Sequence, residues 1–166
     1  MSYQKESTVH SGTVLQNKKI AAHTFHLQIQ SNDFANMQYI GGFTLDIFLG
    51  NPFEEAFCQG RKYSFWNYEP VYHIADFAIC TFSNGKGAEW IQKLQLGDPI
   101  FFKPPKGKLL VDNSAENYLL IGDITSLSHL YEIHRSLAVS KNIFTFIKSV
   151  LGNYVWLTGI IRCNIT

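Results

Sequence analysis

Three short stretches of the chain combine residue types that can do chemistry. Arg61-Lys62-Tyr63-Ser64 sets a guanidinium, an aromatic ring and a hydroxyl on what reads as one strand soon after a turn. The guanidinium fork suits phosphate oxygens, the ring two residues on projects from the same strand face, and the hydroxyl can bond a ring nitrogen. A motif this short, read alone, is more often a surface strand with an amphipathic Tyr. Asn84-Gly85-Lys86-Gly87-Ala88-Glu89-Trp90 is a glycine-rich turn opening a short helix through Leu94. The unbonded N–H groups and positive dipole end of such a helix make a phosphate seat, and Lys86 adds charge where an anion would sit; taken alone, a connector helix is the plainer reading. Gly122-Asp123-Ile124-Thr125-Ser126-Leu127 marks a strand giving way to a helix, where ligands bind in open α/β sheets, although Thr125 or Ser126 could simply cap the helix.

The elements that must position these residues follow from pattern. In Ala21–Gln30, the residues Ala21, His23, Phe25, Leu27 and Ile29 alternate with polar ones, as on a half-buried strand. Phe43–Leu49 repeats the pattern and Gly50-Asn51-Pro52 stops it; Lys62–Trp66, Asp76–Phe82 and Pro99–Lys103 are further strand-like runs. Short strands separated by Gly, Pro and Asn predict a mainly β fold, an antiparallel barrel or sandwich. After Pro104-Pro105-Lys106-Gly107 the texture changes. Tyr118–Asp123 is a continuous apolar run expected to be covered on both faces, followed by a helix with an apolar stripe of Leu127, Leu130, Tyr131 and Leu137. Asn142–Lys148 and Tyr154–Gly159 read as two more elements, the second a short strand.

Composition sets outer limits. The 166 residues are 46% hydrophobic and 14% aromatic, enough for one good core. Charged residues make up 16%, with 14 Lys and Arg against 13 Asp and Glu and no basic stripe, which argues against nucleic acid or an anionic membrane as partner. Cys58, Cys80 and Cys163 are widely spaced and outside any C-x-x-C pair, reading as reduced thiols, and with no long apolar segment a cytoplasmic protein is expected. His23 and His26 lie on opposite strand faces, and His129 and His134 stand about 140° apart on a helix, so no metal site is expected. No Gly-x-Ser-x-Gly elbow or paired-carboxylate motif supports a hydrolase.

In order and spacing the three stretches resemble the FAD-binding siderophore-interacting proteins, a branch of the ferredoxin-reductase-like flavoproteins. Arg61-x-Tyr63-Ser64 is similar to the R-x-Y-[ST] motif, Gly85–Trp90 with Leu96-Gly97-Asp98 to the glycine-rich helix start and following G-D turn, and Tyr118–Leu127 to the y-L-L-v-G-D-E-T-A-L strand and helix. The resemblance implies an antiparallel FAD-binding barrel over residues 1–112 and a truncated NAD(P)-binding-like α/β segment over 113–166. It implies that Arg61 holds a flavin phosphate, Tyr63 lies on the isoalloxazine ring and Ser64 approaches its N5 edge, the last two as catalytic residues. Lys86, Gly87 and Ala88 would turn backbone N–H groups to the pyrophosphate, and Thr125 would sit near the flavin.

The family moves electrons from NAD(P)H through FAD to ferric siderophores. Here Tyr154–Gly159, similar to the late y-V-W-x-a-G-E strand, arrives early, so the strands that would bind NAD(P)H are not expected and an external donor protein becomes the electron source. Ala88 replaces a Ser or Thr, Trp66 a common Arg, and Ile124 the Glu of G-D-E-T. These departures motivate an alternative: a degenerate barrel that has lost its cofactor and serves as a protein-interaction module, with exposed aromatics forming a homodimer or partner interface.

Overall fold

The computed structural model describes residues 8–148 and the backbone of 154–157. Cys163 and most of the N-terminal polar stretch lie outside the described residues.

One antiparallel sheet takes up most of the chain. Its strands are β1 (His10–Ala21), β2 (Thr24–Gln30), β3 (Thr44–Phe48), β4 (Gly60–Ser64), β5 (Asn67–Glu69), β6 (Ile74–Cys80) and β7 (Pro99–Lys106), in the spatial order β4-β3-β7-β1-β2-β6-β5. The two edges of that order, β4 and β5, are separated in the chain only by Phe65 and Trp66, so the sheet must curl until its edges meet. That curl makes a barrel-like layer in which β4 and β5 remain the two edge strands. The alternation read in β2 holds: Leu27 and Ile29 are fully buried and Phe25 packs on the core. Ala21 and His23, expected on the same face, lie exposed at the turn between β1 and β2. Strands β1 and β5 were not expected. Polar and basic residues of Gln16-Asn17-Lys18-Lys19 mask the apolar alternation of β1, and β5 is only 3 residues long.

Phe34, Phe65, Phe77 and Phe102 fill the barrel interior with Val14, Leu45, Ile47 and Ile100. Helix α1 (Lys86–Lys93) closes one side, burying Ala88 and Ile91. Its far end is held by Asn17, whose side-chain amide donates to the Ile91 and Leu94 carbonyls at 2.7 and 2.8 Å. Those carbonyls have no partner within the helix, so one β1 side chain does the work of a C-cap.

A second sheet of order β10-β9-β8 comprises β8 (Asn117–Asp123), β9 (Asn142–Lys148) and β10 (Tyr154–Leu157). Strands β8 and β9 run parallel, joined by helix α2 (Leu127–Ser136). The helix covers one face, burying Leu130, Ile133 and Leu137 with Ile147 of β9. The other face is open: Leu119 and Ile121 of β8 are 60% and 68% exposed. The expectation of a strand covered on both faces is therefore corrected, because α2 supplies one layer and the described residues supply no other. Capping also differs from expectation. Asp123 accepts hydrogen bonds from the Thr125 and Ser126 N–H groups at 2.9 and 3.2 Å and caps a 3-10 turn, and α2 starts from Ser126 without a side-chain cap bond.

Candidate functional site

Strand β4 presents Arg61, Tyr63 and Ser64, and α1 begins beside it. Gly87 is where the two meet: a Cβ there would lie 2.6 Å from the Tyr63 hydroxyl oxygen and 3.7 Å from Arg61 Cγ. Any larger residue there would have to push the Tyr63 hydroxyl or the helix start aside. Gly85 caps α1 without a side-chain bond, and the Lys86 and Gly87 amides precede the first intrahelical bonds, which run from Ala88 and Glu89 to the Gly85 carbonyl at 2.8 and 3.1 Å. Two amides and the positive dipole end thus stand next to an exposed arginine.

The ring of Tyr63 lies nearly parallel to that of Trp90, 6.2 Å between centroids and 14° between planes. Burial raises the Tyr63 hydroxyl to about 12, with the Arg61 charge opposing part of the rise. Ser64 is held from the other side. Its hydroxyl is 3.0 Å from Nδ1 of His129 on α2, and His129 Nε2 is 3.0 Å from the Leu109 carbonyl oxygen. Burial holds the His129 imidazole below its usual value, partly offset by the bond to Leu109.

The remaining sequence candidates are placed differently. Ala88 is 4% exposed, and its N–H is already given to Gly85. Thr125 is turned to Asp123, its hydroxyl donating to Oδ1 at 2.6 Å. Trp66 sits edge-on against His26, 5.2 Å between centroids, and its backbone N–H donates to the Asp76 backbone carbonyl at 2.8 Å.

A cleft of about 710 Å³ opens between α1 and residues 48–59. Lys86 lines it, with Trp90, Lys93, Phe48 and Phe57; Arg61, Tyr63, Ser64 and Gly87 do not. Trp90 is therefore shared between the cleft and the β4 cluster.

Three groups escaped the sequence reading. Glu132 on α2 is 1% exposed; Tyr39 donates its phenolic proton to Oε2, and Arg135 pairs with Oε1 at 2.7 Å. Arg135 also donates to Asn67 Oδ1 at 3.0 Å. Asp76, 7% exposed, accepts from His26 at 2.7 Å, Gln28 at 2.9 Å and Asn67 at 3.2 Å. Burial alone would raise the Asp76 carboxyl, but the bonds from His26, Gln28 and Asn67 outweigh it and hold the group below the ordinary range. A buried carboxylate has no local sequence signal, since only the packing shows that Glu132 faces inward. His129 was weighed for metal binding alone, and its partner lies 65 residues away.

No family model and no curated protein matches the chain by sequence. Among solved structures, it is similar to the siderophore-interacting protein from Acinetobacter baumannii, with TM-score 0.76 and 16% identity over 86% of this chain and 58% of that one. It is similar to a siderophore utilization protein from T. fusca, with TM-score 0.72 and 15% identity over 86% of this chain and 61% of that one. Phthalate dioxygenase reductase, a modular structure for electron transfer from pyridine nucleotides to a 2Fe–2S centre, gives TM-score 0.72 and 17% identity over 87% of this chain and 44% of that one. The chain thus has the ferredoxin-reductase-like fold of the siderophore-interacting proteins and spans about three fifths of their length.

Proposed function

We propose that this chain binds FAD on the barrel and works as a flavin-dependent electron-transfer protein, with residues 1–112 as the cofactor domain and 113–166 as an α/β segment. The observation that carries the reading is the meeting of β4 and α1 at Gly87, where a side chain would collide with Tyr63 beside Arg61. The residues present fit the cofactor: a guanidinium and two helix-start amides for phosphate, an aromatic ring and a hydroxyl for the tricyclic ring. Arg61 and the Lys86 and Gly87 amides would hold phosphate oxygens, Tyr63 would lie against the ring, and Ser64 would reach its N5 edge. Bound FAD supplies two-electron acceptance and one-electron release; the protein orients it and tunes its electronics. Ala88 contributes packing, its N–H being committed to the helix, and Thr125 acts through Asp123 at the start of α2.

Ferric siderophores are the proposed acceptors, and a separate donor protein is the proposed electron source. The absorption spectrum of the purified protein, followed by FAD titration, tests the reading. Flavin bands or saturable binding are expected; a colourless protein that takes up no FAD would refute it. Adding NADH or NADPH without oxygen tests the donor, since rapid bleaching by either would rule out the need for an external one.

A second reading, a cofactor-free interaction module, is favoured by the open face of β8 and β9, where Leu119, Ile121 and Phe144 are 60%, 68% and 50% exposed. Light scattering that shows a stable homodimer in a protein devoid of FAD binding would make it the leading one.

A further inference from the structure

His129 joins the second sheet's helix to the one residue of β4 placed at the reactive edge of the proposed cofactor. The geometry settles its tautomer. A carbonyl oxygen can only accept, so the 3.0 Å contact to Leu109 requires a proton on Nε2. In the neutral ring Nδ1 is then an acceptor, and the Ser64 hydroxyl, 3.0 Å away, donates its hydrogen to it. Protonation places a hydrogen on Nδ1 as well. Nδ1 now donates to Ser64 Oγ, and the serine hydrogen must turn away from the imidazole.

We propose that His129 is a positioning residue that sets the direction of the Ser64 hydroxyl: neutral, it keeps the serine hydrogen for itself, and charged, it turns that hydrogen outward as a donor to the bound ligand. The inference rests on the flavin reading, because it takes Ser64 to face the acceptor nitrogen of the ring. Charged, the imidazole would carry its second proton on Nδ1, 3.0 Å from Ser64 Oγ, and the serine would offer its own hydrogen to the ligand.

The surroundings suit this role. Ser64 approaches from β4 and Leu109 from the segment after β7, while the cations nearest to them in sequence, Lys62 and Lys108, are exposed. On α2 itself, Glu132 is committed to Tyr39 and Arg135. Burial disfavours the charged imidazole in the free protein, against the opposing bond to the Leu109 carbonyl. A ligand that needs the outward donor must then favour the protonated form, and by reciprocity protonation must favour the ligand.

The experiment is FAD titration of the full chain by fluorescence between about pH 5.5 and 8, alongside NMR titration of the histidines with and without FAD. Affinity is expected to rise about fivefold or more as pH falls through the His129 titration, and FAD is expected to raise the His129 pKa correspondingly. His129→Asn, whose amide can stand in for the charged ring as a fixed donor, should bind FAD with a flat pH profile. Ser64→Ala should also be flat, and weaker. A purely structural role for His129 would instead weaken binding in the Asn variant and leave the wild-type profile in place. A flat profile in the unaltered protein, or a pH dependence that survives in Ser64→Ala, overturns the inference and leaves flavin binding intact. Failure to bind FAD at any pH overturns both.

Discussion

Tyr39 of the barrel donates its phenolic proton to the buried Oε2 of Glu132 on α2, and the Arg135 guanidinium lies at ion-pair distance from Oε1, 2.7 Å. The three side chains clamp the helix of the second sheet to the barrel. The backbone is tight at the same place: a Cβ on Gly41 would lie 2.7 Å from Ser136 Cβ and 3.2 Å from the Glu132 carbonyl oxygen. Glu132 is 1% exposed, so removing a partner leaves an oxygen that water cannot reach. Tyr39→Phe should cost about 1–3 kcal/mol of stability in chemical denaturation. Burial, reinforced by Glu132, pushes the Tyr39 hydroxyl well above the usual phenol range, so Tyr39 should be missing from the ordinary tyrosine step in an absorbance titration. Its presence there would show that the clamp is open in solution.

Gly87→Ala tests the meeting of β4 and α1. Alanine is the better helix former, so α1 considered alone gains from the change. Against that, the new methyl would sit 2.6 Å from the Tyr63 hydroxyl oxygen, and either the ring or the helix start must move. FAD affinity should fall about tenfold, or roughly 1.4 kcal/mol, in an equilibrium titration. Unchanged affinity would place the cofactor elsewhere.

Arg61 and Tyr63 should separate in their effects. Arg61→Ala removes a charge-assisted contact of about 1.5–3 kcal/mol and should weaken FAD by about one to two orders of magnitude, with little change in the flavin spectrum. Tyr63→Ala should alter the visible bands and the reduction potential instead. If neither substitution changes cofactor content or spectrum, the assignment of β4 as the flavin strand fails.

Asp76 should give the protein an acid-sensitive step. Its folded carboxyl titrates below the ordinary range, since three side-chain donors outweigh the cost of burial. The folded state therefore binds fewer protons than the unfolded chain between the two titrations, and stability rises with pH across that window. The contribution is complete above the unfolded value of roughly 3.9 and is lost as pH falls through the lower folded one. Asp76→Asn should cost about 1.5–3 kcal/mol at neutral pH and flatten this acid limb in denaturation curves measured against pH. His129 is displaced in the same direction, its folded value lying below about 6.5, so its effect on the free protein is also a loss of stability toward acid, at higher pH than that of Asp76.

The sequence by itself determined most of the strands, both helices and the three stretches that resemble the flavoprotein motifs. It could do so because alternation, turn residues and glycine-rich helix starts are local consequences of backbone geometry. Arg61, Tyr63 and Gly87 were legible for that reason, and the packing brings all three together. Tertiary structure alone decided which side chains meet across tens of residues. Ser64 and His129 stand 65 positions apart, Tyr39 and Glu132 stand 93 apart, and nothing in either local pattern marks a partner. The apolar run of β8 shows the same limit: its composition reports that burial is favourable, while its 68% exposed Ile121 depends on whether a second layer is there to supply it. Local pattern fixes what each residue is able to do, and packing decides what it is given to do it with.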